Sequence, residues 1–448
     1  MQIINLIDWI LSILTTLFCA LFLFSSIREK ERRATFLAFT CLAGNAGLWG
    51  FFILFKQVKW VSFFNLAVLI AVALFVLVAV IKYFPPMKER DLSGIQKYDE
   101  RDIMFARNSL QYHPQLAEKY YAAHPEKRPI DEKIQGKPEL GEPGHRFYDA
   151  YFSPLFEAAF TYLERTRDDS RGAVSPGKKE IDIRKMSDVI RAVGCSYGAV
   201  DVGITPLKPF HTYSHYGRRP ENWGEEMDIR HKFAIVIVVA MEVGMMKYAP
   251  ALPVILETSR QYVESAKIAH IITDYIRGFG YDARAHTDGN YQVLCVPLAV
   301  SAGLGALGRM GIFMHPVHGS CVRLSVVTTE LELLPTPANK HTASIAAFCA
   351  GCKKCADNCP SQSIANGEEP VSRGFRHWSI HQEKCFSYWK TIGTDCGFCI
   401  RVCPYTKPDT LVHRLVRFYI SRNPFNQRLA LFLDDLFYGR RFPTPKNF

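Results

Sequence analysis

Hydrophobic and polar positions follow three regimes along this chain. Three charge-free apolar runs come first, at 9–27, 34–55 and 60–81. Each holds 19 to 22 residues, long enough to cross a hydrocarbon core of roughly 30 Å as a helix. Pro85 and Pro86 then end the membrane unit, because consecutive prolines cannot continue a helix. From 87 to 180 the chain is charged and punctuated by Pro and Gly, with short helical patterns such as 154–166, and reads as a linker and covering segment with weak internal order. From 181 strong apolar periodicity begins. Residues 183–193 have helical spacing and end at Gly194, and 259–279 form a long amphipathic helix stopped by Gly280. Residues 199–204, 282–286, 291–296 and 323–329 read as strands, and 233–241 is an unbroken buried-strand run. Strands separated by helices predict a layered α/β domain over 181–335. A cysteine-rich region follows over 336–410, and 411–448 is a basic, aromatic tail with helical spacing that suits either packing on the preceding domain or a membrane surface.

Charge refines this picture. The net charge is +11, yet no Lys/Arg block is interleaved with aromatics as a nucleic-acid groove requires, so nucleic acid is not an expected partner. Much of the excess flanks the apolar runs. Arg28-Glu-Lys-Glu-Arg-Arg33 holds four basic residues against Lys56 and Lys59 in the next loop, which places the first loop, and everything after the third run, on the cytoplasmic side of a membrane. Trp9, Trp49 and Trp60 fall near the expected interfaces. The first run has no basic stretch ahead of it, starts at Asp8 and lacks a small-residue cleavage site, so it reads as an anchor rather than a cleaved signal. No twin-arginine export signal is present.

Eight of the thirteen cysteines lie between 349 and 403. Cys349, Cys352, Cys355 and Cys359-Pro360 have the C-x2-C-x2-C-x3-C-P spacing with which bacterial ferredoxins wrap a [4Fe–4S] cluster. Cys396, Cys399 and Cys403-Pro404 repeat it, with a detached fourth cysteine, Cys385, separated from Cys396 by ten residues. Two clusters are expected. Because the last cysteine of each run crosses to the other cube, Cys349, Cys352, Cys355 and Cys403 are assigned to one cluster and Cys359, Cys385, Cys396 and Cys399 to the other. Zinc is the alternative, but its sites use separated C-x2-C pairs and explain this spacing poorly. Cys19, Cys41, Cys195, Cys295 and Cys321 are scattered without a disulfide framework, as suits a reducing compartment. The glycine-rich stretch 303–311 is neither a dinucleotide fingerprint nor a Walker loop. Its glycines either let backbone lie flat against a large cofactor or simply make a turn.

Taken together, Lys232-Phe-Ala-Ile-Val-Ile, Ala285-His-Thr-Asp-Gly-Asn-Tyr291, Gly303-Leu-Gly-Ala-Leu-Gly-Arg-Met-Gly311, Val326-Val-Thr-Thr and the two cysteine runs resemble the corrinoid-dependent reductive dehalogenases. Glu100-Arg-Asp-Ile-Met-Phe-Ala-Arg107 and Leu433-Asp-Asp-Leu-Phe-Tyr-Gly439 extend the resemblance across the soluble part. The glycine-rich stretch and the ferredoxin part are also similar to epoxyqueuosine reductases. The resemblance implies an α+β protein in which a nitroreductase-like core holds cobalamin and a dicluster ferredoxin-like domain feeds it electrons. With no Asp-x-His-x-x-Gly corrinoid motif, the cobalamin is expected base-off.

The resemblance further implies a phenol beside a cation as proton donor, at positions corresponding to Tyr262 and Arg323, with Asn290 orienting substrate or halide; Tyr248 and Tyr291 are the rival donors. Cobalamin contacts are expected from Tyr291, Gly303, Leu304, Gly305, Leu307, Gly308, Arg309 and Met310. Arg323 is expected to favour the ionised phenol. The implied activity is reductive cleavage of an organohalide carbon–halogen bond, with a cytoplasmic ferredoxin, a flavodoxin or a membrane reductase as electron donor and the lipid bilayer as a further partner. Two alternatives stay open: a corrinoid reductase of another carbon–heteroatom bond, and a membrane iron–sulfur electron carrier without substrate.

Overall fold

A computed structural model of the chain describes residues 2–55, 58–84, 95–170, 172–337, 342–373 and 375–443. Lys56, Pro85 and Pro86, and the side chains of Lys59 and Trp60, lie outside the described residues. The chain divides into two units, one of residues 1–85 with 407–442 and one of residues 86–406 with 443–448.

The first unit holds the helices Gln2–Arg28, Arg32–Leu54 and Lys59–Val80. Each contains a span long and apolar enough to cross a membrane. Large apolar side chains such as Leu14, Phe39, Phe63 and Leu77 are exposed along them, as lipid-facing surface is. Where helices meet, polar side chains join them. Asn65 Nδ2 donates to Asp8 Oδ2 at 2.8 Å, Trp49 Nε1 to Thr15 Oγ1 at 3.0 Å and Asn45 Nδ2 to Thr16 Oγ1 at 2.8 Å. Such bonds hold helices together where water is not available to compete. The 411–448 tail forms the helices Leu411–Ile420 and Pro424–Tyr438 within this same unit. Asn423 and Asn426 donate to the carbonyls of Val78, Ala79 and Ile81, satisfying the open C-terminal end of the third helix.

In the second unit, the strands β1 (Asp201–Pro206), β2 (Phe233–Ala240), β3 (Ala283–His286), β4 (Ala306–Leu307), β5 (Phe313–Met314) and β6 (Val322–Thr329) form the framework. The main sheet has the order β1-β2-β6-β3 and is antiparallel throughout. Alternate residues of β2 enter two cores: Ile235, Ile237 and Val239 on one face, Ala234, Val236 and Val238 on the other. Both faces are therefore covered, which is why β2 reads as a continuous apolar run. The helices Ile183–Ser196 and Pro253–Arg277 contribute to the first core, and Cys295–Ser301 to the second.

Three expectations need correction. The long helix begins at Pro253, not Ser259, because Pro253 sits in the first turn, where its missing N–H costs nothing. Residues 291–296 do not form a strand: Cys295 to Ser301 is helical, with Pro297 tolerated in the first turn, and only Val293 makes an isolated bridge, to Thr212. The short apolar run fits both periods, and the proline decides for helix. Nor is the covering segment weakly ordered. It forms the helices Met104–Ser109, Pro114–Ala123, Arg128–Gln135 and Ser153–Arg165. Its fully buried Arg107 forks onto Asp131 at 3.0 and 2.7 Å and reaches Glu383 at 2.6 Å.

Removing one member of a buried ion network leaves the others uncompensated, at a cost of roughly 3–5 kcal/mol. Arg107→Ala is expected to lower the thermal midpoint of this unit by on the order of 10 °C, read by thermal unfolding of the full chain. A midpoint unchanged within a degree would remove this network from the account of stability.

Candidate functional site

Both cysteine runs are built on the same local geometry. In the first, the helix Thr342–Cys352 carries Cys349 and Cys352, Lys353 turns the chain at φ +57°, and the short helix Lys354–Asp357 presents Cys355. In the second, Gly397 makes the equivalent turn, also at φ +57°, between Cys396 and the helix Phe398–Arg401 that presents Cys399. Position 393, where strict repetition would place a fourth cysteine, is a glycine at φ +79° that ends the helix Gln382–Ile392. Its place is taken by Cys385, inside that helix.

The thiols of the two runs lie close enough to raise one another, across the runs as well as within them. Burial, then the neighbouring Cys403, pushes Cys349 up to about 12. Burial and Cys403, followed by Cys399 and Cys352, raise Cys355. Burial, then Cys359, pushes Cys385 up to about 12, while Cys385 and Cys359 raise Cys396 after its own burial. Crowded buried thiols that raise one another suit a site whose ligands are held as thiolates by a cationic group. Among the described residues no three His, Cys, Asp or Glu side chains converge as ligands of a single metal ion.

Arg309 lies beside the first run with 2% of its surface exposed. Its guanidinium donates to the carbonyls of Cys349, Ala350, Ala365 and Gly367 at 2.7 to 3.0 Å and lies 4.0 Å from the centre of the Trp378 ring. This side chain supports the cysteine loop and is not available to a cofactor elsewhere. The glycines around it are explained by close packing in the β4–β5 hairpin. A Cβ at Gly305 would stand 2.1 Å from the Met314 carbonyl oxygen, and one at Gly308 2.6 Å from the Met314 side chain. Leu304 and Met310 are buried and Leu307 is half-buried.

Tyr262 and Arg323 meet, although they come from different elements. Tyr262 is half-buried on the Pro253–Arg277 helix, and Arg323 is in β6 opposite Val239. The Arg323 guanidinium carbon is 5.4 Å from the centre of the Tyr262 ring. Burial pushes the phenol up to about 12 against the opposing pull of Arg323, with Asp288, Asp395 and Cys295 adding to the rise. The cation acts in the expected direction but burial wins, so Tyr262 keeps its proton through neutral pH.

Two partners of Arg323 escaped the sequence reading. Its Nη2 donates to Thr258 Oγ1 at 2.8 Å and stands 3.6 Å from Asp395 Oδ2, and Thr258 Oγ1 donates to that same carboxylate oxygen at 2.6 Å. Thr258 lies one helical turn before Tyr262, on the same face. Asp395 immediately precedes Cys396, so the arginine beside the phenol is tied directly to a cysteine loop. Neither residue belongs to a recognisable motif; the four-residue spacing of Thr258 and Tyr262 was the one available signal.

The other candidates divide. Tyr291 donates its hydroxyl to the Leu324 carbonyl at 3.1 Å, so this rival phenol is already committed. Tyr248 is 46% exposed. Asn290 is buried, but its carbonyl accepts from Arg219 at 2.5 Å and from Arg284 at 2.9 Å, and its amide donates to the Arg167 carbonyl at 3.2 Å. Asp288, two residues earlier, is the member of this loop that faces Tyr262 electrostatically. The buried atoms Arg323 Nε and Thr287 Oγ1 find no hydrogen-bond partner among the described residues. An orphaned polar atom on the arginine beside the half-buried phenol fits a site that receives another group.

The arrangement is that of an α/β core with a half-buried phenol–guanidinium pair, joined to a cysteine-rich domain. Residues 348–407 match the family described as 4Fe-4S dicluster domain. The chain is 30% identical over 300 residues to a tetrachloroethene reductive dehalogenase of Desulfitobacterium hafniense, covering 56% of this chain and 54% of that one. It shares its fold with the solved catabolic reductive dehalogenase NpRdhA, also solved with 3-bromo-4-hydroxybenzoic acid, at a TM-score of 0.64 and 22% identity for the first of these structures, covering 81% of this chain and 50% of that one. An epoxyqueuosine reductase of Francisella cf. novicida is 31% identical over 143 residues, 28% of this chain and 35% of its own. The resemblance to reductive dehalogenases read from the sequence therefore holds, and so does the presence of a 4Fe-4S dicluster domain. The chain spans about half the length of the reductive dehalogenases it matches.

Proposed function

We propose that this chain is a membrane-anchored reductive dehalogenase that cleaves the carbon–halogen bond of an organohalide by two-electron reduction at a base-off cobalamin. The observation that carries this reading is the Tyr262–Arg323 pair, fastened through Thr258 and Asp395 to the loop of Cys396. Cobalamin, when bound, supplies the bond cleavage, and the two [4Fe–4S] clusters supply its electrons singly. Cys349, Cys352, Cys355 and Cys403 would hold one cluster and Cys359, Cys385, Cys396 and Cys399 the other. Tyr291 and the backbone of 303–310 would line the corrin.

The protein's own part is the proton. Replacing a carbon–halogen bond by carbon–hydrogen consumes two electrons and one proton and releases halide. Tyr262 holds that proton at neutral pH, and Arg323 steadies the phenolate left behind. Arg323 is itself positioned by Thr258 and Asp395, so its charge is fixed before substrate arrives. Asn290 orients substrate or halide by exchanging one of its arginine contacts. A low-potential ferredoxin, flavodoxin or membrane reductase is the electron donor, and the basic loop at 28–33 supports a cytoplasmic face for the enzyme.

Anaerobic purification with iron, sulfide and cobalt analysis tests the cofactors. About eight irons and one cobalt per chain are expected; eight irons without corrinoid after reconstitution would leave an electron carrier. Fusing alkaline phosphatase after the last residue tests the orientation, since the reporter should be inactive there, and an active reporter would reverse the topology.

A further inference from the structure

The two C-terminal helices repeat one pattern. Leu411, Arg414, Leu415 and Phe418 recur as Phe425, Arg428, Leu429 and Phe432, with an apolar residue first, arginine fourth, leucine fifth and phenylalanine eighth. On a helix the first, fifth and eighth positions share one face, and the arginine flanks it. The opposite faces are spent inside the unit. His413 meets Glu29 at 2.9 Å, Asn426 holds the end of the third membrane-length helix, and Phe437 packs edge-on against Phe22 with ring centres 4.9 Å apart. The patterned face is left outward: Leu411, Leu415, Phe418, Phe425 and Phe432 are between 46% and 65% exposed.

We infer that these two helices lie in the plane of the membrane, with this face at the boundary between headgroups and acyl chains and the arginines toward anionic headgroups. Continuity with the anchor carries the placement. The contacts fall at Ser25, Glu29 and 78–83, where the membrane-length helices end and the hydrocarbon core would stop. Charge carries the choice of lipid: residues 411–432 contain four arginines and no carboxylate, and basic residues near an anionic surface are attracted to it. Asp409, just outside this stretch, accepts from both Arg414 and Arg417, while Arg428 is exposed. A stripe of this kind in water would be a large apolar patch; at the interface it is ordinary.

This inference rests on the membrane anchor, and the test separates the two. The photoreactive residue p-benzoylphenylalanine is placed singly at Phe418, Phe432, Phe39 or Tyr151 in the full chain reconstituted in phosphatidylcholine vesicles with and without phosphatidylglycerol. Phe39 reports on a membrane-length helix, and Tyr151, 90% exposed, on the other unit. After irradiation, lipid adducts read by mass spectrometry are expected at Phe418, Phe432 and Phe39 and not at Tyr151. Adducts at Phe39 alone would overturn the inference and leave the anchor standing, whereas none at Phe39 would overturn the anchor itself. Crosslinks between two copies from Phe418 or Phe432 would assign the face to a second chain and overturn it too. Phosphatidylglycerol should enrich the adducts by on the order of fivefold per arginine. Arg414→Gln with Arg428→Gln should abolish most of that enrichment, and enrichment that survives would remove the arginines from the proposal.

Discussion

Tyr262→Phe is expected to leave iron, cobalt and the cobalt(II) paramagnetic resonance spectrum unchanged while turnover falls by 10²- to 10⁴-fold, the usual contribution of a positioned acid. The change removes one oxygen atom and no ligand of any cofactor. Arg323→Met should also suppress turnover, but the structure shows why this variant alone is ambiguous. Asp395 is buried, and Arg323→Met removes the cation beside its carboxylate; leaving a buried charge unpaired costs several kcal/mol. Arg323→Lys keeps the cation and loses the fork, so it should fold normally and still turn over slowly. The Tyr262→Phe, Arg323→Lys double variant should be barely worse than Tyr262→Phe, since groups acting as a unit are lost together. Full turnover by Tyr262→Phe with normal metal content would dismiss this phenol as the donor.

Iron content should reveal which thiols share a cluster. Cys349→Ala together with Cys403→Ala is expected to leave about four irons per chain, because the crossed pairing places both residues on one cube. Cys349→Ala together with Cys359→Ala strikes both cubes and should leave almost none. Pairing within each run would reverse the two outcomes. The proximity of Cys403 to Cys349 and Cys355, and of Cys359 to Cys385 and Cys396, is the structural reason for expecting the first. Turnover should vanish in both double variants, so the iron count and not the rate carries the test.

Features with short-range causes could be read from the sequence. The membrane-length helices follow from apolar runs that need no partner to be recognised, and the cysteine geometry follows from a spacing that repeats its own backbone turn at Lys353 and Gly397. The β2 run was recognisable because both faces are covered. What escaped depends on residues far apart in the chain. The covering segment looked loose because its order comes from Arg107 meeting Asp131 and Glu383, a network with no local pattern. Thr258 and Asp395 acquire meaning only where helix, strand and cysteine loop converge on Arg323. The first six residues of the Pro253–Arg277 helix fall outside the span that the sequence spacing marks as helix. Gly305 and Gly308 invited a cofactor reading; the fold adds that a Cβ at Gly305 would meet Phe313 and Met314 and one at Gly308 would meet Met314, contacts that no local pattern announces.

Halide release by the full chain tests the central claim most directly. Loaded with cobalamin and both clusters, given a strong low-potential reductant under anaerobic conditions and challenged with a panel of haloaromatics and haloalkanes, the protein should release one halide ion for each two electrons consumed from at least one compound, and Tyr262→Phe should abolish nearly all of that release. No halide from any member of the panel, by protein whose cobalt and iron are shown to be fully in place and reducible, would contradict the assignment.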